Sequence, residues 1–171
     1  MSEKMGFFVL KDEKLDKSIS GLWPLIDLVA VIVTRGDRIL TVYNEKWGAF
    51  TLPMSKLRRW RDPKVKEKAE RVEDWEDAAV RAATEWVGRT TTDKPEYLRE
   101  MAEFQQSDRD EKWKRYRTRA YRIELPAEVE PHPARVTEWL TAAEICDEHR
   151  RPLSPTARYI VRELHLTGHL G

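Results

Sequence analysis

The residues of this chain that could do chemistry are concentrated in a segment, roughly 73–87, that is predicted to form one helix. Glu85 lies there between Ala82 and Trp86, and the three positions share a helical face because residues three and four apart are neighbours. A carboxylate on such a face can bind Mg²⁺, which prefers an octahedron of oxygen ligands. Since Glu85 is the one carboxylate of the three, this face predicts weak binding of a hydrated ion.

The same helix carries two apolar stripes. One suits the core, and its members are Ala79, Val80, Ala83 and Val87. The other lies on or near the face of Glu85, and its members are Trp75, Ala78, Ala82 and Trp86. A helix that is apolar on nearly every side is usually buried on nearly every side. We therefore expect this face to be covered by the segment 54–72 or by a partner, with stacking of Trp86 on a ligand base as the alternative.

Two stretches interleave basic and aromatic residues, Lys56–Arg61 and Lys112–Arg117. Such mixtures can bind phosphates and stack on bases. The candidate ligand-binding residues are Trp86, Arg58, Arg59, Arg115, Arg117 and Arg119. The alternative is a solvated strand face and a solvated loop whose charges are neutralised by nearby Asp and Glu side chains.

These residues are positioned by elements that alternate between strands and helices. A hairpin is predicted around Gly36-Asp37, because two runs rich in β-branched residues flank it. Further predicted strands are Tyr97–Gln105, Lys114–Leu125 and Arg135–Leu140. A short helix is predicted to start at Thr141, with Glu144 as the second residue of its capping box. A last helix is predicted over Pro155–Leu166, with Ser154 as its N-cap. This order predicts a mixed β-sheet packed between helices, an α/β/α sandwich.

The composition is that of one globular domain. The chain has 171 residues and a net charge of +1, so a polyanion partner must be argued from local clusters. Residues 1–20 are predicted to be an irregular lead-in with a short strand at 7–10, followed by one domain over 21–171 with an extended loop at about 54–72. Cys146 is the only cysteine, and no apolar stretch is long enough for a membrane span, which favours a cytoplasmic protein without a membrane partner.

The chain resembles the Nudix hydrolases over about residues 25–165. The segment Trp47–Pro53 is similar to the approach to the family's loop, and Glu73, Arg81, Glu85 and Gly88 give the spacing E-x7-R-x3-E-x2-G of the Nudix box. The residues 136–140 and 152–155 look like the family's closing strand and final helix. The resemblance implies a Nudix-type fold and assigns Glu73, Arg81 and Gly88 a structural role, with an ion pair between Glu73 and Arg81.

The chain departs from the family where the metal ligands are expected. The full box has glutamates at the positions of Ala82 and Trp86, and the segment from 54 to Glu73 is about a dozen residues longer than the family spacing. The resemblance implies Mg²⁺ or Mn²⁺ as cofactor, but the box keeps only Glu85 as metal ligand and, in an active protein, as catalytic residue. A compensating ligand could come from Glu96, Glu100 or Glu103.

Three functions follow from these observations. The favoured one is a degenerate Nudix domain that binds a nucleotide-type, diphosphate-containing ligand or a protein partner with little or no hydrolysis. The second is an active metal-dependent pyrophosphohydrolase that acts on diphosphate anhydrides through relocated ligands. The third is an RNA-binding or protein-interaction module. A homodimer is also expected, because the second apolar helix face would suit one.

Overall fold

The computed structural model describes residues 7–8, 25–61, 70–88, 94–106, 113–147 and 152–170. Its strands are β1 (Phe7–Phe8), β2 (Leu25–Arg35), β3 (Arg38–Asn44), β4 (Ala49–Thr51), β5 (Met54–Lys56), β6 (Arg59–Arg61), β7 (Glu70–Val72), β8 (Glu96–Gln106), β9 (Trp113–Glu124) and β10 (Thr137–Thr141). Its helices are α1 (Trp75–Val87), α2 (Ala142–Cys146) and α3 (Pro155–Leu166). Of the strand predicted at 7–10, residues 9 and 10 lie outside the described part of the chain.

The predicted hairpin around Gly36 is confirmed. β2 and β3 pair antiparallel, with Arg35 opposite Arg38, and Gly36 takes a φ of +60° in the turn. Strands built from β-branched residues favour this pairing, and glycine adopts the left-handed conformation of the turn without steric cost.

One mixed sheet contains most of the described strands. Its order is β1-β8-β9-β2-β3-β10, with β4 paired to β3 and β5 paired to β2. β2 and β9 run parallel in the middle, and their register places Asp27 beside Arg117. This register therefore brings a carboxylate near the start of β2 next to the basic residues of β9.

Helices cover both faces of the sheet, as predicted. Side chains alternate between the faces along each strand. Val29, Val31 and Tyr121 face α1, and they belong to one buried cluster with the helix. Ala30 and Ala120 face the opposite way and belong to a second cluster with α2 and α3. The α/β/α sandwich is therefore confirmed.

The bounds of α1 follow from its end groups. Asp74 caps the N-terminus by accepting a hydrogen bond from the backbone of Glu76, and Gly88 ends the helix with a φ of +74°. The predicted core stripe needs a correction, because Val80 is only half-buried whereas Ala78 and Ala82 are buried. The sheet accepts the small alanines in close contact, so both apolar stripes contribute to the core.

The segment 54–72 is not a loop throughout. Its described parts form β5, which pairs with β2, and the two-stranded hairpin of β6 and β7. Residues 62–69 lie outside the described part. No helix in the described ranges is both long and apolar enough to span a membrane.

Candidate functional site

Glu73 and Arg81 form the expected ion pair, which connects the start of α1 to β5. The Arg81 guanidinium donates two hydrogen bonds to the Glu73 carboxylate, at 3.0 and 2.7 Å. It also donates to Ser55 Oγ at 2.8 Å and to the Lys56 carbonyl at 3.0 Å. The hydrogen bonds between the two side chains lower the pKa of Glu73 and raise the pKa of Arg81. The pair therefore holds the segment before α1 against the sheet.

Arg58 takes part in this network through its backbone rather than its guanidinium. Its N–H donates to Glu73 Oε1 at 3.0 Å, and its carbonyl accepts from the Glu73 N–H at 2.9 Å. Its side chain is exposed. The position of Arg58 is thus fixed by the same carboxylate that binds Arg81.

The helix face expected to bind metal carries one carboxylate. Ala82 is 1% exposed and belongs to the buried cluster of α1, while the Trp86 ring packs against that cluster. The Glu85 side chain is 52% exposed. Within the described residues, no three Asp, Glu, His or Cys side chains lie close enough together to hold one metal ion. Mg²⁺ and Mn²⁺ prefer an octahedron of oxygen ligands, and the single carboxylate in the described part of this face is a poor fit to either ion.

Two of the three carboxylates considered as compensating ligands form ion pairs elsewhere. Glu96 pairs with Arg122 at 2.6 Å. Glu100 accepts a hydrogen bond from Arg119 at 2.9 Å. The side chain of Glu103 lies outside the described part of the structure. Each of the first two carboxylates therefore neutralises an arginine rather than extending the set around Glu85.

The ring of Trp86 is covered by Arg135, from the segment that precedes β10. The Arg135 Cζ atom lies 5.0 Å from the Trp86 ring centroid, and Arg135 Nη2 lies 3.7 Å from Glu85 Oε1. The backbone N–H of His132 donates to the Trp86 carbonyl at 2.7 Å. Among the described residues, this face is thus covered by the β9–β10 connection, and the described part of 54–72 contacts the other end of α1.

A second group of charges lies beside Trp75, at the N-terminal end of α1. Asp27 is 8% exposed and accepts hydrogen bonds from Arg117 Nε at 2.9 Å and from Arg59 Nη2 at 3.3 Å. The guanidinium groups of Arg117 and Arg119 lie over the Trp75 ring, at 5.7 and 4.5 Å from its centroid. The Asp27 carboxylate therefore already binds two guanidinium groups.

The candidate ligand-binding residues consequently form two sets. Arg59, Arg117 and Arg119 surround Asp27 and Trp75, whereas Trp86 lies eleven residues further along α1, about 16 Å away along the helix axis. Arg115 is half-buried, and its Nε has no hydrogen-bond acceptor among the residues that the structure describes. The two sets therefore lie towards opposite ends of α1.

Two residues of these sets were not predicted as site residues. Asp27 has a visible signal, because it is the one charged residue in the apolar run Leu25–Val33 and a buried carboxylate needs partners. Arg135 has no such signal. Its contact with Trp86 depends on the path of the connection between β9 and β10.

Solved structures of similar fold are Nudix proteins. The MutT protein of Methanosarcina mazei Go1 has a TM-score of 0.58 at 15% identity, over 85% of this chain and 96% of that one. The C. elegans Ap4A hydrolase has a TM-score of 0.55 at 14% identity, over 86% and 100%. The Nudix domain of Shewanella oneidensis NrtR, solved with ADP ribose, has a TM-score of 0.54 at 12% identity, over 91% and 98%.

Comparisons of sequence give no match. No protein-family model matches the chain, and no curated protein is significantly similar to it. Structural likeness at 12 to 15% identity establishes the fold and leaves the activity to be argued from the site.

Proposed function

We propose that this chain, whose fold is that of the Nudix hydrolases, binds a nucleotide-type ligand that contains a diphosphate, with little or no hydrolysis. The observation that supports this proposal is the face of α1 formed by Ala82, Glu85 and Trp86. Metal-assisted hydrolysis of a diphosphate needs a bound cation that neutralises developing charge and activates water. One exposed carboxylate beside a buried alanine and a tryptophan is a poor set of ligands for that cation.

The chemistry of the ligand is proposed from two independent observations. ADP ribose is bound in the solved Nudix domain of NrtR, and a second protein of similar fold is an Ap4A hydrolase. Both molecules contain adenosine and a phosphoanhydride. In this chain, the Arg135 guanidinium lies over the Trp86 ring on one face of α1, and such a guanidinium is suited to a phosphate.

The proposal is tested by measuring binding and turnover separately. Isothermal titration calorimetry with ADP-ribose and with Ap4A, in EDTA and then in Mg²⁺ or Mn²⁺, should detect binding of at least one of them. Anion-exchange chromatography of the same mixtures should detect little or no product. Turnover that requires metal and is abolished by Glu85→Gln would overturn the proposal in favour of an active pyrophosphohydrolase.

A second candidate function, binding of single-stranded RNA, is favoured by the β6–β7 hairpin. Trp60 is 44% exposed, and Arg71 on the opposite strand lies over its ring at 5.7 Å. An exposed ring next to cations can stack on a base while the cations bind phosphates. Filter binding of oligouridylate should then weaken steeply with salt and with Trp60→Ala, but not with Tyr97→Ala, which removes an aromatic side chain that is 51% exposed on β8.

A protein partner becomes the favoured occupant if neither class of ligand binds.

We also propose a cytoplasmic location, and the support for it is the single cysteine of the sequence. Proteins of oxidising compartments commonly use cysteine pairs for stability, and one thiol cannot form an intrachain disulfide.

A further inference from the structure

The guanidinium of Arg135 lies on the helix face where a metal would be expected. It lies next to both Trp86 and Glu85: its Cζ is 5.0 Å from the Trp86 ring centroid, and its Nη2 is 3.7 Å from Glu85 Oε1. A positive charge of the chain itself therefore lies beside Glu85.

The segment that carries Arg135 is anchored to α1. His132 donates its backbone N–H to the Trp86 carbonyl at 2.7 Å, and Arg135 donates its own backbone N–H to the His132 carbonyl at 2.9 Å. The backbone N–H of Ala134 also donates a hydrogen bond to His132 Nδ1 at 3.1 Å. These bonds position the Arg135 side chain before any ligand arrives, which lowers the entropy lost on binding.

The guanidinium still has free donors. It is 44% exposed, and its distance of 3.7 Å to Glu85 is too long for a hydrogen bond. Among the described residues, no acceptor takes a hydrogen bond from it. A guanidinium held on an aromatic face keeps its N–H edges available, and two of them match two oxygens of a phosphate.

We propose that Arg135 supplies, in place of a metal ion, the positive charge that binds the diphosphate of the ligand. This inference rests on the proposed function, since it requires that a diphosphate-containing ligand binds. Trp86 orients the guanidinium, and the diphosphate binds to its outward N–H groups without a metal. Binding is therefore as strong in EDTA as in Mg²⁺.

The proposal reverses the role of Glu85. In a metal site, the carboxylate holds the cation, so its removal weakens binding of the phosphate. In the arginine site, Glu85 repels the diphosphate and competes for Arg135, so Glu85→Gln strengthens binding. For exposed charges about 5 Å apart in water, the expected gain in affinity is roughly two- to fivefold.

The experiment is calorimetric titration of the full chain with ADP-ribose in EDTA and in Mg²⁺. Arg135→Ala should weaken binding about tenfold or more in both buffers, because hydrogen bonds between charged groups are lost. Arg135→Lys should restore part of the affinity by restoring the charge. Glu85→Gln should strengthen binding in both.

The matched controls are Arg122→Ala and Glu96→Gln, which remove the same charges from an ion pair of similar exposure on the sheet face opposite α1. They should leave the affinity unchanged. Binding that requires Mg²⁺, that is insensitive to Arg135→Ala or that weakens in Glu85→Gln would overturn the role of Arg135 and leave the proposed function intact. Absence of ADP-ribose binding in both buffers would overturn this inference, and if Ap4A also fails to bind, the proposed function fails with it.

Discussion

Replacement of Arg81 by methionine is predicted to destabilise the protein far more than the same replacement of Arg122. Both arginines form an ion pair with a glutamate, at 2.7 Å for Arg81 with Glu73 and at 2.6 Å for Arg122 with Glu96. The pairs differ in exposure, since the Glu73 side chain is 9% exposed and the Glu96 side chain is 56% exposed. The comparison therefore sets an arginine bound to a largely buried carboxylate against an arginine in an exposed pair.

The expected loss of stability depends on which hydrogen-bonding groups each substitution leaves without a partner. Arg81→Met removes four hydrogen bonds and leaves Glu73 with only the Arg58 N–H among its described partners. A largely buried carboxylate that loses its cation should cost about 2 to 4 kcal/mol, somewhat less than a fully buried one. Arg122→Met should cost about 0 to 1 kcal/mol, because water solvates both members of an exposed pair.

The assay is urea unfolding followed by tryptophan fluorescence, with thermal unfolding as a second measure. The loss in Arg81→Met corresponds to a decrease in Tm of roughly 5 to 15 °C for a chain of this size. The double variant Glu73→Gln with Arg81→Met should lose less than the sum of the single losses, because the two side chains are coupled. Equal losses for Arg81→Met and Arg122→Met would refute the reasoning.

Three further predictions concern stability. Because Arg81 lowers the pKa of Glu73, the ion pair stabilises the fold fully above about pH 4.3, where a free glutamate ionises, and this stabilisation is lost as pH falls through the folded-state pKa of Glu73. Between pH 7 and pH 3, the urea midpoint of Glu73→Gln should therefore fall less than that of the unchanged protein. Gly88→Ala should cost about 1 to 2 kcal/mol and more than Gly36→Ala, since both glycines have positive φ but a Cβ at Gly88 would lie 3.2 Å from a histidine ring; equal urea midpoints would contradict this. Thr118→Val should be neutral or stabilising by up to about 1 kcal/mol, because its buried hydroxyl has no partner among the described residues, whereas Thr41→Val, which removes a hydroxyl bonded at 2.7 Å, should destabilise; a loss of stability in Thr118→Val would show that its hydroxyl is satisfied.

The sequence predicts much of the fold because its signals are local. The hairpin at Gly36, the end of α1 at Gly88 and the capping box of Thr141 each depend on residues within one or two turns of the chain. The predicted last strand, Arg135–Leu140, shows where such signals are weakest. The structure begins β10 at Thr137, and Arg135 lies in the turn that precedes it.

The site could be predicted only in part. The resemblance to the Nudix box implied the ion pair of Glu73 and Arg81, and the structure contains it. The same resemblance identified Ala82 and Trp86 as the positions where the box has glutamates. It could not indicate which group would lie over Trp86, because Arg135 belongs to a different connection of the sheet.

The sequence by itself determined the hairpin at Gly36, the helices and most of the long strands, and it identified Glu85 as the one carboxylate among positions 82, 85 and 86 of α1. The tertiary structure alone decided the partners of the charged groups. Arg117 reaches Asp27 across 90 positions of the chain through the parallel register of β2 and β9. The path between β9 and β10 likewise places a guanidinium beside Glu85. Local patterns set helices, turns and caps, whereas contacts between distant charges depend on strand register and on the packing of the whole sheet.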